Sequence, residues 1–440
     1  MNTFCSKLDR SFILLSALLL CIWPLQGTIA LRNILLGFGL VAAIFWWLRC
    51  RNTVSLKDSR ADWLPLIGIG LLLLWVVVHY LFIGADAQAQ WSELKGTWLR
   101  VLMACAIGII TGLVLQRQIS QLYLLWLGIG ASFTYLFGDY LLVALNQGAL
   151  FMPSYYFSSP FLNKINVVMM GSILVGACAG WIAHYLGSRS EHRTLTPVFI
   201  WVVAMVLLLF SYTTIVDTRN GLGVATLVFG LFLGITVLRH ARSLRSLVVI
   251  GLVVVLMGLF IQQHLKINRG WTHFFDDLAV AVQIDQYPHW QDAKKFGYPT
   301  NASGQTVYPN NYERAAWATV GLQTIADHPL GYGLLEHSLE KQVVKKYPDA
   351  VIESSHSAWI DFGLAFGIPG LAIVLLTLAS LILFGIRTPN LAGATVTWIA
   401  ISIVISYTVA EASSKHSIEV LFFMMALLSG LLIPQRPVHH

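Results

Sequence analysis

Three residues in this 440-residue chain have the type and setting to do chemistry: Arg219, Arg314 and His356. Arg219 stands in Asp217-Thr218-Arg219-Asn220-Gly221. Arg314 stands in Asn311-Tyr312-Glu313-Arg314-Ala315-Ala316-Trp317, and His356 in Ser354-Ser355-His356-Ser357-Ala358-Trp359. Guanidinium groups bind phosphate in bidentate fashion and stay charged at any working pH. A neutral imidazole can take a proton from an attacking hydroxyl. Together the three suit transfer of a group from a pyrophosphate to a hydroxyl, with arginine standing where a metal otherwise neutralises the leaving group. Each also has a plainer alternative. Arg219 could be an interfacial arginine reaching to lipid headgroups, Arg314 a solvated helix charge paired with Glu313 or Asp327, and His356 a structural histidine.

The elements that must position them are membrane spans. The sequence is 57% apolar and only 11% charged, with a mean hydropathy of +0.70, whereas a soluble domain carries roughly 25% charge. The net charge of +7 does not imply nucleic acid, because the charges sit in short connections and form no continuous basic face. Apolar runs long enough to cross a ~30 Å hydrocarbon core lie near 11–29, 33–49, 63–83, 97–115, 120–146, 165–187, 197–216, 219–238, 246–264, 357–386, 391–410 and 417–433. With the N-terminus inside, the cytoplasmic segments hold fourteen basic residues against three acidic ones, Asp9, Asp58 and Glu191. That asymmetry predicts twelve helices with both termini in the cytoplasm.

The expected organisation is transmembrane helices 1–9 over residues 1–264, a large periplasmic loop over 265–355, and helices 10–12 with a short cytoplasmic tail over 356–440. A loop of this length is usually functional. Its Trp271, Phe274, Phe275, Trp290, Trp317, Leu322, Ile325 and Leu330 suffice for a small packed cap. Within it, Tyr312 to Ala326 reads as a helix that stops before Pro329, followed by a turn at Gly331-Tyr332-Gly333. Cys5, Cys21, Cys50, Cys105 and Cys178 all lie in or beside early apolar segments, so no disulfide framework holds the loop. No Cys/His spacing resembles a zinc site, no carboxylate cluster for a metal appears outside, and no cofactor is implied.

Ionisable groups inside spans usually mark transport paths. Here the sequence offers His79, Asp139, His184, Asp361 and Glu419, too few for a coupled relay, and no matching pair of broken helices. The polar groups gather at the outer face, with Arg219, Arg314 and His356 all on that side. This favours chemistry at the membrane surface over passage through it.

The runs Tyr312-Glu313-Arg314-Ala315-Ala316-Trp317 and His328-Pro329-Leu330-Gly331-Tyr332-Gly333, with His356 eleven residues before Gly367, resemble the bacterial O-antigen ligase and polymerase superfamily. In that superfamily a His-x10-Gly pattern closes the large periplasmic loop. The layout is similar over the whole chain, the specific motifs only from about 212 to 370. In size the chain is most similar to the lipopolysaccharide O-antigen ligases. The resemblance implies an all-α integral membrane fold, glycosyltransferase C-like, in the bacterial inner membrane. It implies an inverting, metal-independent transfer of O-antigen from undecaprenyl pyrophosphate to a sugar hydroxyl of lipid A–core. Arg219 and Arg314 would hold the pyrophosphate, His356 would activate the acceptor, and no cofactor would be needed. Two positions depart from the pattern. Gly223 stands where the arginine motif often has leucine, and Ser357 where asparagine is common. Lys266 and Arg269 are the other cations near enough in sequence to serve the phosphates. An O-antigen polymerase or a protein O-oligosaccharyltransferase of the same superfamily remains an alternative, and a glycolipid flippase is the alternative from another class.

Overall fold

The structure is a computed structural model and describes residues 3–50, 63–149, 155, 159–187, 196–240, 244–352, 354–412 and 415–433. Among these residues the regular secondary structure is helical, with two isolated β-bridges, Leu25 to Phe161 and Thr300 to Thr306. The chain runs through α1 (Thr3–Ile22), α2 (Ile29–Cys50), α3 (Leu64–Phe82) and α4 (Ala87–Glu93). A π-helical turn at Leu94–Trp98 leads into α5 (Leu99–Arg117), followed by α6 (Tyr123–Gln147), α7 (Lys164–Gly187), α8 (Thr196–Phe210), α9 (Arg219–His240) and α10 (Leu244–Ile267). The loop contributes α11 (Phe274–Ala281), α12 (Ala293–Phe296), α13 (Pro309–Asp327) and α14 (Ser338–Lys346). The chain then returns through α15 (Ala358–Arg387), α16 (Leu391–Ser406) and α17 (Lys415–Leu432).

A helix overlaps each of the twelve apolar runs. Seven are long and apolar enough to cross a membrane, and four apolar helices are shorter: Phe199–Ile215, Arg219–Ile235, Leu391–Ser406 and His416–Leu432. The remaining one, α1, carries Lys7, Asp9 and Arg10 near its start. The fold is that of an all-α membrane protein. Large apolar side chains such as Phe38 and Leu145 point outward, 68% and 78% exposed, as lipid-facing residues do. Of the basic residues that set the expected orientation, Arg51, Lys57, Arg60, Arg189, Arg193, Arg242 and Arg436 lie outside the described residues.

The axis of the bundle is α17, where every residue from Val420 to Leu428 is at most 1% exposed. It packs against α5, where Gly108 and Gly112 let the two backbones meet. A Cβ on Gly112 would lie 2.2 Å from the carbonyl oxygen of Leu427. In lipid there is little hydrophobic drive between helices, so such close packing carries much of their association. Gly112→Val is therefore expected to cost ~1–3 kcal/mol or more through overpacking and to lower the unfolding temperature in detergent. Gly70→Ala, with nothing within 4 Å of the added carbon, should leave it unchanged.

Charge inside the bundle is richer than the sequence suggests. Glu419 is fully buried, faces Arg32 Nε at 3.2 Å, and accepts from Arg100 (2.6 Å) and Trp23 Nε1 (3.0 Å). Asp9, also buried, accepts from Arg117 (3.1 Å) and Trp46 Nε1 (2.7 Å). Arg100 and Arg117 stand at the two ends of α5, about 25 Å apart along the axis, so these networks cap opposite ends of the bundle and do not form a relay across it. Asp9 and Arg32 fall just outside the apolar runs and so read as connection residues. Pairing is what makes their burial tolerable. At the Asp9 end Cys5 and Cys50 are bonded, with Cα atoms 5.9 Å apart. The packing of α1 on α2 brings the two cysteines together.

The loop helices have their own core. Val280, Ile284, Trp290, Tyr312, Trp317, Val320 and Leu339 pack together and onto Ile360 and Leu364 of α15. The helix expected from Tyr312 is α13, and it ends before Pro329. Helix α15 breaks at Gly367 (φ 64°), with Pro369 just beyond. A break leaves backbone groups without intrahelical partners, and the segment Pro329–Gly333 supplies them. Ile368 N donates to Pro329 O (2.8 Å), Tyr332 N to Leu364 O (2.8 Å) and Gly333 N to Ala365 O (2.6 Å). A Cβ on Gly367 would lie 2.2 Å from Pro329 O, so the crossing requires glycine. From the other side His79 Nε2 contacts Leu330 O (2.9 Å), and the Glu93 carboxylate accepts from the amides of Leu335 (3.1 Å) and Glu336 (3.3 Å). The spacing from His356 to Gly367 thus measures the helix between the loop's return to the bundle and this crossing.

Candidate functional site

Arg219, Arg314 and His356, far apart in sequence, line one cavity of about 500 Å³. Gly223, Val224 and Leu227 of α9, Val404 and Ile405 of α16, and Trp271, Phe274 and Leu278 of the loop give it an apolar wall. The cavity is therefore amphipathic, cationic at one end and lined with hydrocarbon along the bundle.

Arg219 is the first residue of α9. Its Nη1 donates to Gly270 O (2.7 Å) and to Asn311 Oδ1, and its guanidinium lies 4.9 Å from the centre of the Tyr308 ring. Asn311 Nδ2 donates in turn to Gly270 O (3.0 Å) and to the buried Asp277 (2.9 Å). Arg219 therefore fastens the loop to the bundle while lining the cavity.

Arg314 lies in the second turn of α13 and differs in kind. Among the described residues its guanidinium has no hydrogen-bond or ion-pair partner. The two carboxylates weighed as its partners are used elsewhere: Glu313 accepts from Tyr298 Oη (2.6 Å), and Asp327 faces Lys346 (3.5 Å). Burial, and then the positive charge of Arg219, pull its pKa below the ordinary arginine value, against the opposing pull of Glu411 and Glu313. Two half-buried guanidinium groups are thus held close enough to feel each other's charge.

His356 has a positive φ of 51°, uncommon for a residue other than glycine. It is over-determined from all sides. Its amide donates to Ser354 Oγ (3.1 Å), its ring stacks on Trp317 with centroids 6.0 Å apart, and its Nδ1 faces Glu411 Oε2 at 3.5 Å, long for a hydrogen bond. Ser354 Oγ donates to the same carboxylate oxygen. With Nδ1 turned to Glu411, Nε2 is the ring nitrogen left for a ligand. Asp361, fully buried in the first turn of α15, accepts from Ser355 Oγ (2.6 Å) and Ala412 N (2.8 Å), which fixes the His356 and Glu411 segments to one another. Burial pushes the Glu411 carboxyl up, but its contacts with His356 and Ser354 and the charge of Arg314 outweigh this and hold it below the usual carboxylate value. Its stabilising effect is present above the ordinary carboxylate range and is lost as pH falls through the lowered value.

A smaller cavity of about 100 Å³ adjoins the first and shares Arg219, Asn220, Asn310 and Arg314 with it. Lys164 and Asp217 complete its charged lining. Asp217 also has a positive φ (48°) and accepts from His264 Nε2 (3.1 Å) and Asn268 Nδ2 (2.9 Å). Trp271 Nε1 donates to His264 Nδ1 (3.1 Å), which leaves Nε2 as the proton-bearing nitrogen.

Lys266 is exposed and lines neither cavity, and the Arg269 side chain lies outside the described residues. His337 is 63% exposed and faces Glu340. Sequence reasoning missed Lys164 and Glu411. Lys164 opens α7, in Asn163-Lys164-Ile165-Asn166, and Glu411 follows the turn at 407–410 between α16 and α17; in each case a lone charge at the end of a span is the signal.

The fold and site define an all-helical membrane protein whose helical loop closes over a cationic, amphipathic cavity. The O-Antigen ligase family model, Wzy_C, matches residues 202–375, from α8 to α15. Over this segment the chain is similar to the O-antigen ligase family, which supports membership of the O-antigen ligase/polymerase superfamily. A comparison with curated proteins found no match.

Proposed function

We propose that the protein is an inverting, metal-independent O-antigen ligase of the bacterial inner membrane, with both termini cytoplasmic and the loop face periplasmic. Its donor is O-antigen linked to undecaprenyl pyrophosphate, and its acceptor is a sugar hydroxyl of lipid A–core. His356 Nε2 takes the proton of the acceptor hydroxyl as that oxygen attacks the anomeric carbon. The bond from that carbon to the pyrophosphate breaks on the opposite face, and its electron pair leaves with the pyrophosphate oxygen. Arg314 and Arg219 neutralise the charge that develops there, and Glu411 stabilises the imidazolium. One displacement inverts the anomeric configuration and leaves no glycosyl-enzyme intermediate.

The observation that carries this reading is a cavity lined by His356, by an apolar wall and by Arg314, whose guanidinium has no hydrogen-bond or ion-pair partner among the described residues. A lipid pyrophosphate needs both environments at once. An O-antigen polymerase shares donor and chemistry and differs in acceptor. Deleting the gene and analysing surface glycolipid separates them. Polymerised, lipid-linked glycan that is never attached to lipid A–core is the result expected of a ligase. Attachment of single repeat units would identify a polymerase, and unchanged surface glycolipid would sink both.

A further inference from the structure

We infer that Lys164 is a third cation of the leaving-group site, seating one phosphate of the lipid pyrophosphate in the smaller cavity. The inference rests on the transferase reading above and deepens it. Lys164 opens α7 and lines the smaller cavity together with Arg314, and its Nζ donates to the carbonyl oxygen of Asp217 at 3.3 Å. Among the described residues the lining of this cavity holds three cations, Lys164, Arg219 and Arg314, and one carboxylate, Asp217. The other nearby carboxylates among the described residues are taken: Asp277 accepts from Asn301, Asn311 and the Tyr308 amide, Glu411 faces His356, and Glu313 accepts from Tyr298.

Gathering three cations around one carboxylate is unfavourable in an empty, half-buried site, and it becomes favourable when an anion enters. A pyrophosphate esterified at both ends carries one negative charge per phosphorus, which matches the excess of cations over carboxylate in this lining. When the glycosyl bond breaks, a further negative charge develops on the departing oxygen. Arg219 and Arg314 form the partition between the two cavities, so one phosphate can face His356 while the other reaches Lys164. Asn220 and Asn310, shared by both cavities, and Asn268 supply neutral donors to the same anion.

The test uses the full chain in detergent, with inorganic pyrophosphate as the probe. Lys164→Gln should raise the donor KM and weaken inhibition by pyrophosphate roughly ten- to hundredfold, the loss of one charge-assisted hydrogen bond, with the smaller effect on kcat. Lys164→Arg should restore most of both. An independent measurement needs no variant: acylation of Lys164 by an amine reagent, followed by mass spectrometry, should be blocked by pyrophosphate and not by equal ionic strength of chloride. Unchanged KM and inhibition in Lys164→Gln, or labelling that pyrophosphate does not block, would overturn the assignment and leave Lys164 a tether for Asp217. If Arg314→Lys still abolishes transfer in that case, the transferase reading stands without Lys164. If neither substitution alters transfer or inhibition, the reading itself falls.

Discussion

Arg314→Lys is expected to abolish detectable glycan transfer while the protein still inserts at normal levels. The substitution keeps the charge and removes the planar fork. Lysine presents a compact ammonium on a flexible stem and cannot grip two phosphate oxygens at once. Arg314 has no protein partner to satisfy among the described residues, so the change cannot act by breaking an internal ion pair. Loss of one preorganised donor to a developing charge typically costs ~10²–10³-fold in rate. Radiolabelled glycan transfer at equal protein levels measures it. Arg219→Lys should combine a loss of rate with a loss of stability, because its guanidinium also binds Gly270 O and Asn311. Full activity in Arg314→Lys would remove the arginine from the leaving-group site.

His356→Ala is expected to lower transfer by ~10²–10⁴-fold, the usual contribution of a general base, with donor binding retained. The setting makes this residue hard to replace. Its backbone is held at positive φ, its ring is stacked on Trp317, and its Nδ1 is turned toward Glu411. Glu411→Gln should cost less, since it weakens the orientation of the ring and the stabilisation of the imidazolium without removing the base. His337→Ala, at an exposed position beside Glu340, should leave transfer unchanged. The opposite outcome, His337→Ala inactive and His356→Ala active, would assign the base wrongly here.

Much of the helical plan was legible because it follows from one constraint: a chain in lipid must satisfy its backbone internally, and long apolar runs announce where it does so. The three candidate residues stood out for a related reason: charge is rare in this chain, and Arg219, Arg314 and His356 fall in polar segments outside the long apolar runs or at their edge. What the sequence hides is pairing. Nothing in the order of residues says that Glu419 meets Arg32 and Arg100, nor that Glu93 caps the amides of Leu335 and Glu336. Arg219 shows the same limit. Its sequence allowed either an anchor or a phosphate ligand, and only the fold reveals a residue bonded to the loop through Gly270 and Asn311 while lining the cavity. Glu411 was invisible because its partner, His356, lies 55 residues away across two helices. The motif glycine Gly367 became intelligible only with Pro329 lying against it.

The most direct measurement is transfer by the purified protein in excess EDTA, from a polyprenyl-pyrophosphate-linked glycan of known anomeric configuration to lipid A–core. Released polyprenyl pyrophosphate and the stereochemistry of the new linkage are read together. Expected are one polyprenyl pyrophosphate released per glycan transferred, activity undiminished by EDTA, and the opposite anomeric configuration in the product. Retained configuration, or activity lost in EDTA and restored by magnesium or manganese, would contradict a single displacement driven by Arg314, Arg219 and His356.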